Sequence, residues 1–173
     1  MKKAVIFIAD SNGVGLSKKL IAPTVKLLYQ KAGWKCRVVD LYTCDFDPLQ
    51  TNGLIQETFM KSFYHEINGS SHVHIFTHNY LGGYSAAFEG FIENMFNSKY
   101  ISESWKKKRL FIHINYVDRS PFLKSFSWSR FTSGRIKDIF KTVKVFSSDL
   151  TWTDAITKRN NVNKIKKYLI NLL

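Results

Sequence analysis

The chain has 173 residues, 45% of them apolar and 15% aromatic, which excludes a disordered chain and gives length enough to bury one substantial core. No run of about 18 uncharged apolar residues occurs, so no membrane-spanning helix is expected. The net charge of +13 is uneven: residues 1–98 carry 9 Lys/Arg against 8 Asp/Glu, residues 99–173 carry 17 against 5, and such a field attracts anions without choosing among them.

The run from Ala4 to Ala9 is continuously apolar, as in a strand covered on both faces. It is too short, and too soon followed by Asp10, for a secretory signal, which points to a cytoplasmic protein. A polar turn from Asp10 to Gly15 leads into a helical pattern from Leu16 to Ala32, with Leu20, Ile21, Val25, Leu27 and Leu28 at helical spacing. Pro23 inside it predicts a kink, and Gly33 a stop. Cys36–Leu41 reads as a second strand. Cys36 and Cys44 match neither a redox CxxC nor a zinc set, and read as inert thiols in a reducing compartment.

Helical spacing returns over Thr51–Ile67, closed by Gly69. Val73–Thr77 is the third strand and Ser85–Phe96 the third helix. A basic turn, Lys106 to Arg109, precedes a fourth strand over Leu110–Asn115. A Ser/Phe-rich loop from Tyr116 to about Trp128 leads to a helix near Ser129–Phe140. A fifth strand covers Val143–Ser147, and a helix from about Asp154 or Lys158 to Leu172 closes the chain. Five strands alternating with five helical stretches predict one α/β domain over 1–173: an open parallel sheet with helices on both faces.

Ligands of such sheets bind beyond the carboxyl ends of the strands, where strand order reverses. Three loops leave those ends. In the first, Ser11, Asn12, Gly13, Gly15, Leu16 and Ser17 lie between a buried strand and a helix N-terminus, a plausible phosphate cradle. The plainer alternative is that the glycines make the turn and Ser17 caps the helix. The second holds His78, Asn79, Tyr80, Leu81 and Gly82, an aromatic ring beside open backbone that suits a flat heteroaromatic ligand. The third begins at Asn115 and Tyr116. There is no P-loop, and Lys18 replaces the last glycine of a GxGxxG, so a dinucleotide-binding Rossmann domain is a weak option despite Asp40 at the end of strand two. His72, His74 and His78 alternate along one strand face with His113 next door; they read as structural histidines, and no metal is expected.

Thr77-x-x-Tyr80-x-Gly82, followed by Ala87-Phe88 and Ile92-Glu93, resembles the flavin-binding segment of flavodoxin-like NAD(P)H-dependent FMN reductases and quinone reductases. Ser11 and Ser17 fall near that family's phosphate-binding serines, and Asp40-Leu41-Tyr42 and Phe46-Asp47-Pro48 fit the end of its second strand and beyond. The resemblance implies a five-stranded sheet of order 2-1-3-4-5. It also implies bound FMN (or FAD), NAD(P)H as co-substrate, a quinone or other small-molecule acceptor, and a homodimer. Chemistry would be carried by the flavin, with no catalytic side chain. The thirteen loop residues named above would hold it. Four features depart from the family: Asp10 before the phosphate loop, His78 and Ser85 where prolines are common, and Asn115-Tyr116-Val117-Asp118 in place of a threonine- and glycine-rich turn. The other class of function is a non-catalytic binding protein whose basic C-terminal half engages an anionic partner; nucleic acid is the less expected one.

Overall fold

The computed structural model describes residues 2–10, 17–43, 53–80, 83–96, 103–116 and 140–148. The strands are β1 (Lys3–Ile8), β2 (Lys35–Asp40), β3 (His72–Tyr80), β4 (Gly83–Tyr84), β5 (Arg109–Tyr116) and β6 (Thr142–Ser148); the α-helices are α1 (Ala22–Lys31), α2 (Gly53–Gly69) and α3 (Ala86–Phe96). The sheet order is β2-β1-β3-β5-β6, all parallel, with the two-residue β4 antiparallel on the end of β3. Counting parallel strands alone, this is the expected 2-1-3-4-5.

Alternation along the strands divides two cores between the faces. Val5, Phe7 and Ala9, with Val73, Ile75, Leu110, Ile112 and Ile114, pack against Phe63 and Ile67 of α2 and Phe88, Phe91 and Met95 of α3. Phe7 meets Phe91 at 4.8 Å and Phe63 edge-on at 5.7 Å between centroids. On the opposite face, Ala4, Ile6, Ile8, Phe76 and Phe111 pack against Ile21, Ala22, Val25 and Tyr29 from α1 and the turn before it. Both faces of β1 are covered, which is why its sequence is unbroken apolar.

Two boundaries differ from expectation. The stretch read as one kinked helix is a π-helical turn over Ser17–Ile21 that runs into α1, with Pro23 in the first turn of the α-helical part. Pro23 lacks the N–H that would otherwise bond back into the preceding turn, which fits the wider π-helical turn just before it. The loop expected after Thr77 is instead a strand extension: Asn79 pairs Tyr84 and Tyr80 pairs Gly83, a hairpin joined by residues 81–82. Gly33 ends α1 with φ 77, as its position predicted. The helices expected near 129–140 and 154–172 lie outside the described residues.

The basic turn before β5 is a 3₁₀ helix over Glu103–Lys107. Lys108 is buried rather than solvated, and its Nζ donates to the carbonyls of Asn68 (2.9 Å) and Ser70 (2.6 Å) at the end of α2. A cation there answers the carbonyls that the helix leaves unpaired. Burial moves the Lys108 pKa down. Among the described residues, no helix is long and apolar enough to cross a membrane.

Candidate functional site

In this strand order the chain leaves β1 toward β2 on one side and leaves β3 toward β5 on the other, so the switch point lies between the carboxyl ends of β1 and β3. Ala9 N–H still bonds Phe76 O at 2.8 Å, holding the two strand ends together. Asp10 follows at once and is 6% exposed. Its carboxylate accepts a hydrogen bond from Nδ1 of His78, itself buried at the same level of β3. Burial disfavours the charged imidazole and lowers its pKa to about 4, so at neutral pH the ring is neutral and its Nδ1–H tautomer donates to the Asp10 carboxyl group. The carboxylate before the first loop is thereby bound sideways to β3.

Ser85, on the other side of Ala9, donates to the Ala9 carbonyl and accepts the N–H of Phe88 at 3.2 Å, capping α3. Thr77 Oγ1 lies 3.5 Å from the same Ala9 oxygen. Three of the four departures from the flavin-reductase pattern are therefore one arrangement: Asp10 with His78, and Ser85 on the carbonyl just before Asp10.

The expected site residues are distributed as follows. Ser17 opens the helical turn before α1 and is buried. His78 pairs in register with Asn115, and Asn79 with Tyr116, so the ends of β3 and β5 lie side by side. Tyr80 sits at the turn of the β3–β4 hairpin. The backbone thus brings His78, Asn79, Tyr80, Asn115 and Tyr116 to one rim. Ser11, Asn12, Gly13, Gly15, Leu16, Leu81 and Gly82 lie outside the described residues. Tyr84, after the hairpin turn, is half-buried with its ring 5.1 Å from Phe88.

Lys18, which displaces the last glycine of a GxGxxG, has a specific role: its Nζ lies 2.6 Å from Oδ2 of Asp40. Asp40 Oδ1 also accepts Tyr42 N–H at 3.0 Å. The acid at the end of β2 is thus engaged by protein, and with the 2-1-3-4-5 order this removes the Rossmann alternative.

The histidines line one face as their spacing predicted, and each is engaged. Tyr29 OH lies 2.7 Å from both His72 Nδ1 and His74 Nε2, and His74 Nδ1 lies 3.0 Å from His113 Nε2. Among the described residues, no three His, Cys, Asp or Glu are arranged to hold a metal ion. Cys36 is a half-buried free thiol, pushed up to about 11 chiefly by burial, which is the chemistry of an inert cysteine.

Charge lies elsewhere. Lys2, Lys3, Lys35, Lys107, Arg109 and Lys141, all exposed, stand at or just before the amino ends of the strands. They are about 20 Å along the sheet from the carboxyl rim. Among the described residues, these cations stand at the rim opposite the switch point.

No protein-family model and no curated protein matches this sequence. Solved structures do. An NAD(P)H:quinone oxidoreductase from Methanothermobacter marburgensis superimposes with a TM-score of 0.71 over 99% of both chains at 12% identity. The flavoenzyme NAD(P)H:(acceptor) oxidoreductase of Paracoccus denitrificans gives 0.64 over 99% of this chain and 94% of that one, also at 12% identity. An FMN-dependent NADH-azoreductase from Bacillus anthracis, solved with FMN, gives 0.64 over 99% of both chains at 10% identity. This chain has the flavodoxin-like fold that these structures share.

Proposed function

We propose that the protein is a flavin-dependent NAD(P)H oxidoreductase that holds FMN at the β1/β3 switch point and reduces a quinone or similar small acceptor. The observation that carries this reading is the convergence at that point. The ends of β1, β3 and β5 meet there, Ser17 is buried at the start of the helical turn that follows the β1 loop, and the one carboxylate in the sequence between β1 and β2 is already bound to His78. That arrangement fits a phosphorylated ring. A free Asp10 would repel its phosphate, whereas Asp10 turned onto β3 leaves the loop to N–H and hydroxyl donors.

When bound, the flavin supplies hydride transfer between NAD(P)H and the acceptor. The chain's own residues bind and orient. Ser17, with Ser11, Asn12, Gly13, Gly15 and Leu16, holds the phosphate; Asn79, Tyr80, Leu81 and Gly82 take the ring edge and face, and Asn115 and Tyr116 close the third side. His78 acts indirectly, by keeping Asp10 turned away. The azoreductase solved with FMN, of the same fold, supports the cofactor assigned. A homodimer and a cytoplasmic location belong to the same proposal.

The test is direct. Purified protein should be yellow, or become so with FMN, absorbing at roughly 450 nm. It should then oxidise NADH or NADPH with a quinone present. Tyr80→Ala should weaken flavin retention about tenfold, the order of one lost ring contact of 1–1.5 kcal/mol; unchanged retention would displace the ring from the hairpin.

The cations at the amino rim favour a second reading, a binding protein for an anionic partner. Binding to nucleic acid that falls steeply with salt, in a protein that takes no flavin, would decide for it.

A further inference from the structure

The face of the sheet under α1 holds a polar chain where an apolar core is the rule. His72, His74, Phe76 and His78 alternate along β3; Phe111, His113 and Asn115 stand beside them on β5. Three imidazoles and one phenol join end to end: His72 Nδ1 to Tyr29 OH at 2.7 Å, Tyr29 OH to His74 Nε2 at 2.7 Å, and His74 Nδ1 to His113 Nε2 at 3.0 Å. Stacking holds the rings in place: His74 on Phe111 at 4.5 Å, Phe76 on His113 at 4.1 Å, and Trp34 against His72 at 4.6 Å. Tyr29 and His74 are 1% and 0% exposed, and His72 keeps 6% at the amino end.

The groups facing this chain keep it neutral. Burial, with Arg109 from β5 and Lys2 before β1, lowers His72 to about 4; His113, buried, falls to about 3; His74 is held well below its ordinary value by burial and by both neighbours. Burial and Cys36 of β2 keep the Tyr29 phenol protonated, against a smaller opposing effect of Arg109. Lys26 of α1 acts on Cys36 alone.

A neutral chain of this composition has two self-consistent proton arrangements. In one, His72 Nδ1–H donates to the Tyr29 oxygen, Tyr29 O–H to His74 Nε2, and His74 Nδ1–H to His113 Nε2. In the other every bond is reversed. Passing from the first to the second breaks four N–H or O–H bonds of the protein and forms four, three of each along the hydrogen-bonded chain and one of each at its ends. It takes one proton from water onto His72 Nε2 and releases one from His113 Nδ1. No electrons move, and the protein ends neutral with one proton carried from the amino end toward the carboxyl rim. His113 lies one residue pair below His78–Asn115, the pair at the rim.

We propose that His72, Tyr29, His74 and His113 form a proton relay from the amino-end surface to the underside of the carboxyl-rim site. Reduction of a quinone by NAD(P)H consumes one proton along with the hydride, and the relay supplies that proton from the face opposite the substrate. This use of the proton rests on the function proposed above. The relay itself does not, and its test needs no flavin.

The full chain, labelled with ¹⁵N at histidine, is examined by long-range ¹H–¹⁵N correlation at neutral pH without added cofactor. A working relay interchanges tautomers, so the two ring nitrogens of His74, and those of His113, should draw together from the wide separation of a fixed neutral tautomer. Tyr29→Phe cuts the chain and should restore that separation. His72→Gln, which removes the accessible end, should do the same and serves if Tyr29→Phe fails to fold. Fixed tautomers in the unsubstituted protein, or averaging that survives a folded cut variant, would overturn the relay. Averaged tautomers in a protein that takes no FMN would refute the flavin assignment and leave the relay standing; fixed tautomers in a protein that binds FMN would do the reverse.

Discussion

Asp10 and His78 form a buried side-chain contact at the rim. Each is buried, and each is the other's partner across the β1–β3 boundary. Removing the imidazole leaves a buried carboxyl group without its partner, which costs more than the net value of the bond. We expect His78→Ala to lower unfolding free energy by about 2–4 kcal/mol in urea titrations. Adding Asp10→Asn to that variant should recover part of the loss, because a neutral amide tolerates the vacancy; a double variant as unstable as the sum of the two singles would deny the pairing. This contact was not legible beforehand. Asp10 and His78 are 68 positions apart, and only the parallel register of β1 with β3 brings them level.

Elements explain which features a linear reading finds. The buried run of β1 and the glycine stop of α1 are local patterns with local causes, and both stand where they were read. The β3–β4 hairpin escaped because its glycines look like any loop and β4 is only two residues long. Pro23 stands where the helical stretch passes from its π-helical turn into α1, a local irregularity to which its missing N–H contributes. Ser85 was visible as a departure from the flavin-reductase pattern, yet its own signal was present, a serine immediately before an apolar helical run. As the cap of α3 it should be worth about 1 kcal/mol. Ser85→Ala should lose that much in thermal or urea unfolding, and Ser85→Thr should retain most of it. A neutral Ser85→Ala would mean the hydroxyl does not cap.

At the scale of the whole molecule, the unusual feature is how many imidazoles are kept neutral inside. His72, His74, His78 and His113 all titrate below the ordinary value of 6.5 in the folded chain, chiefly because of burial. Between that value and about 4 the unfolded chain takes up protons that the folded chain refuses, so stability is full above about pH 6.5 and falls as the pH drops through this window. A melting temperature at pH 5 on the order of 10 °C below that at pH 7.5 is expected. A flat profile across this range would show that the histidines are charged or solvated. The parallel α/β architecture was legible from the alternation of apolar runs and helical patterns. The clustering of described cations at the amino ends of the strands was not, because it depends on which end of each strand carries its lysine or arginine.

In the function proposed above, the carboxyl rim would hold a flat ring with its phosphate seated at the β1 loop and Ser17. Titrating the purified chain with FMN and, in parallel, with riboflavin, which has the same ring and no phosphate, tests both halves together through quenching of flavin fluorescence. The account predicts saturable FMN binding at one site, and riboflavin weaker by at least tenfold, since lost phosphate contacts of 1.4 kcal/mol or more correspond to roughly that factor. No binding of either, or equal affinity for the two, would contradict it.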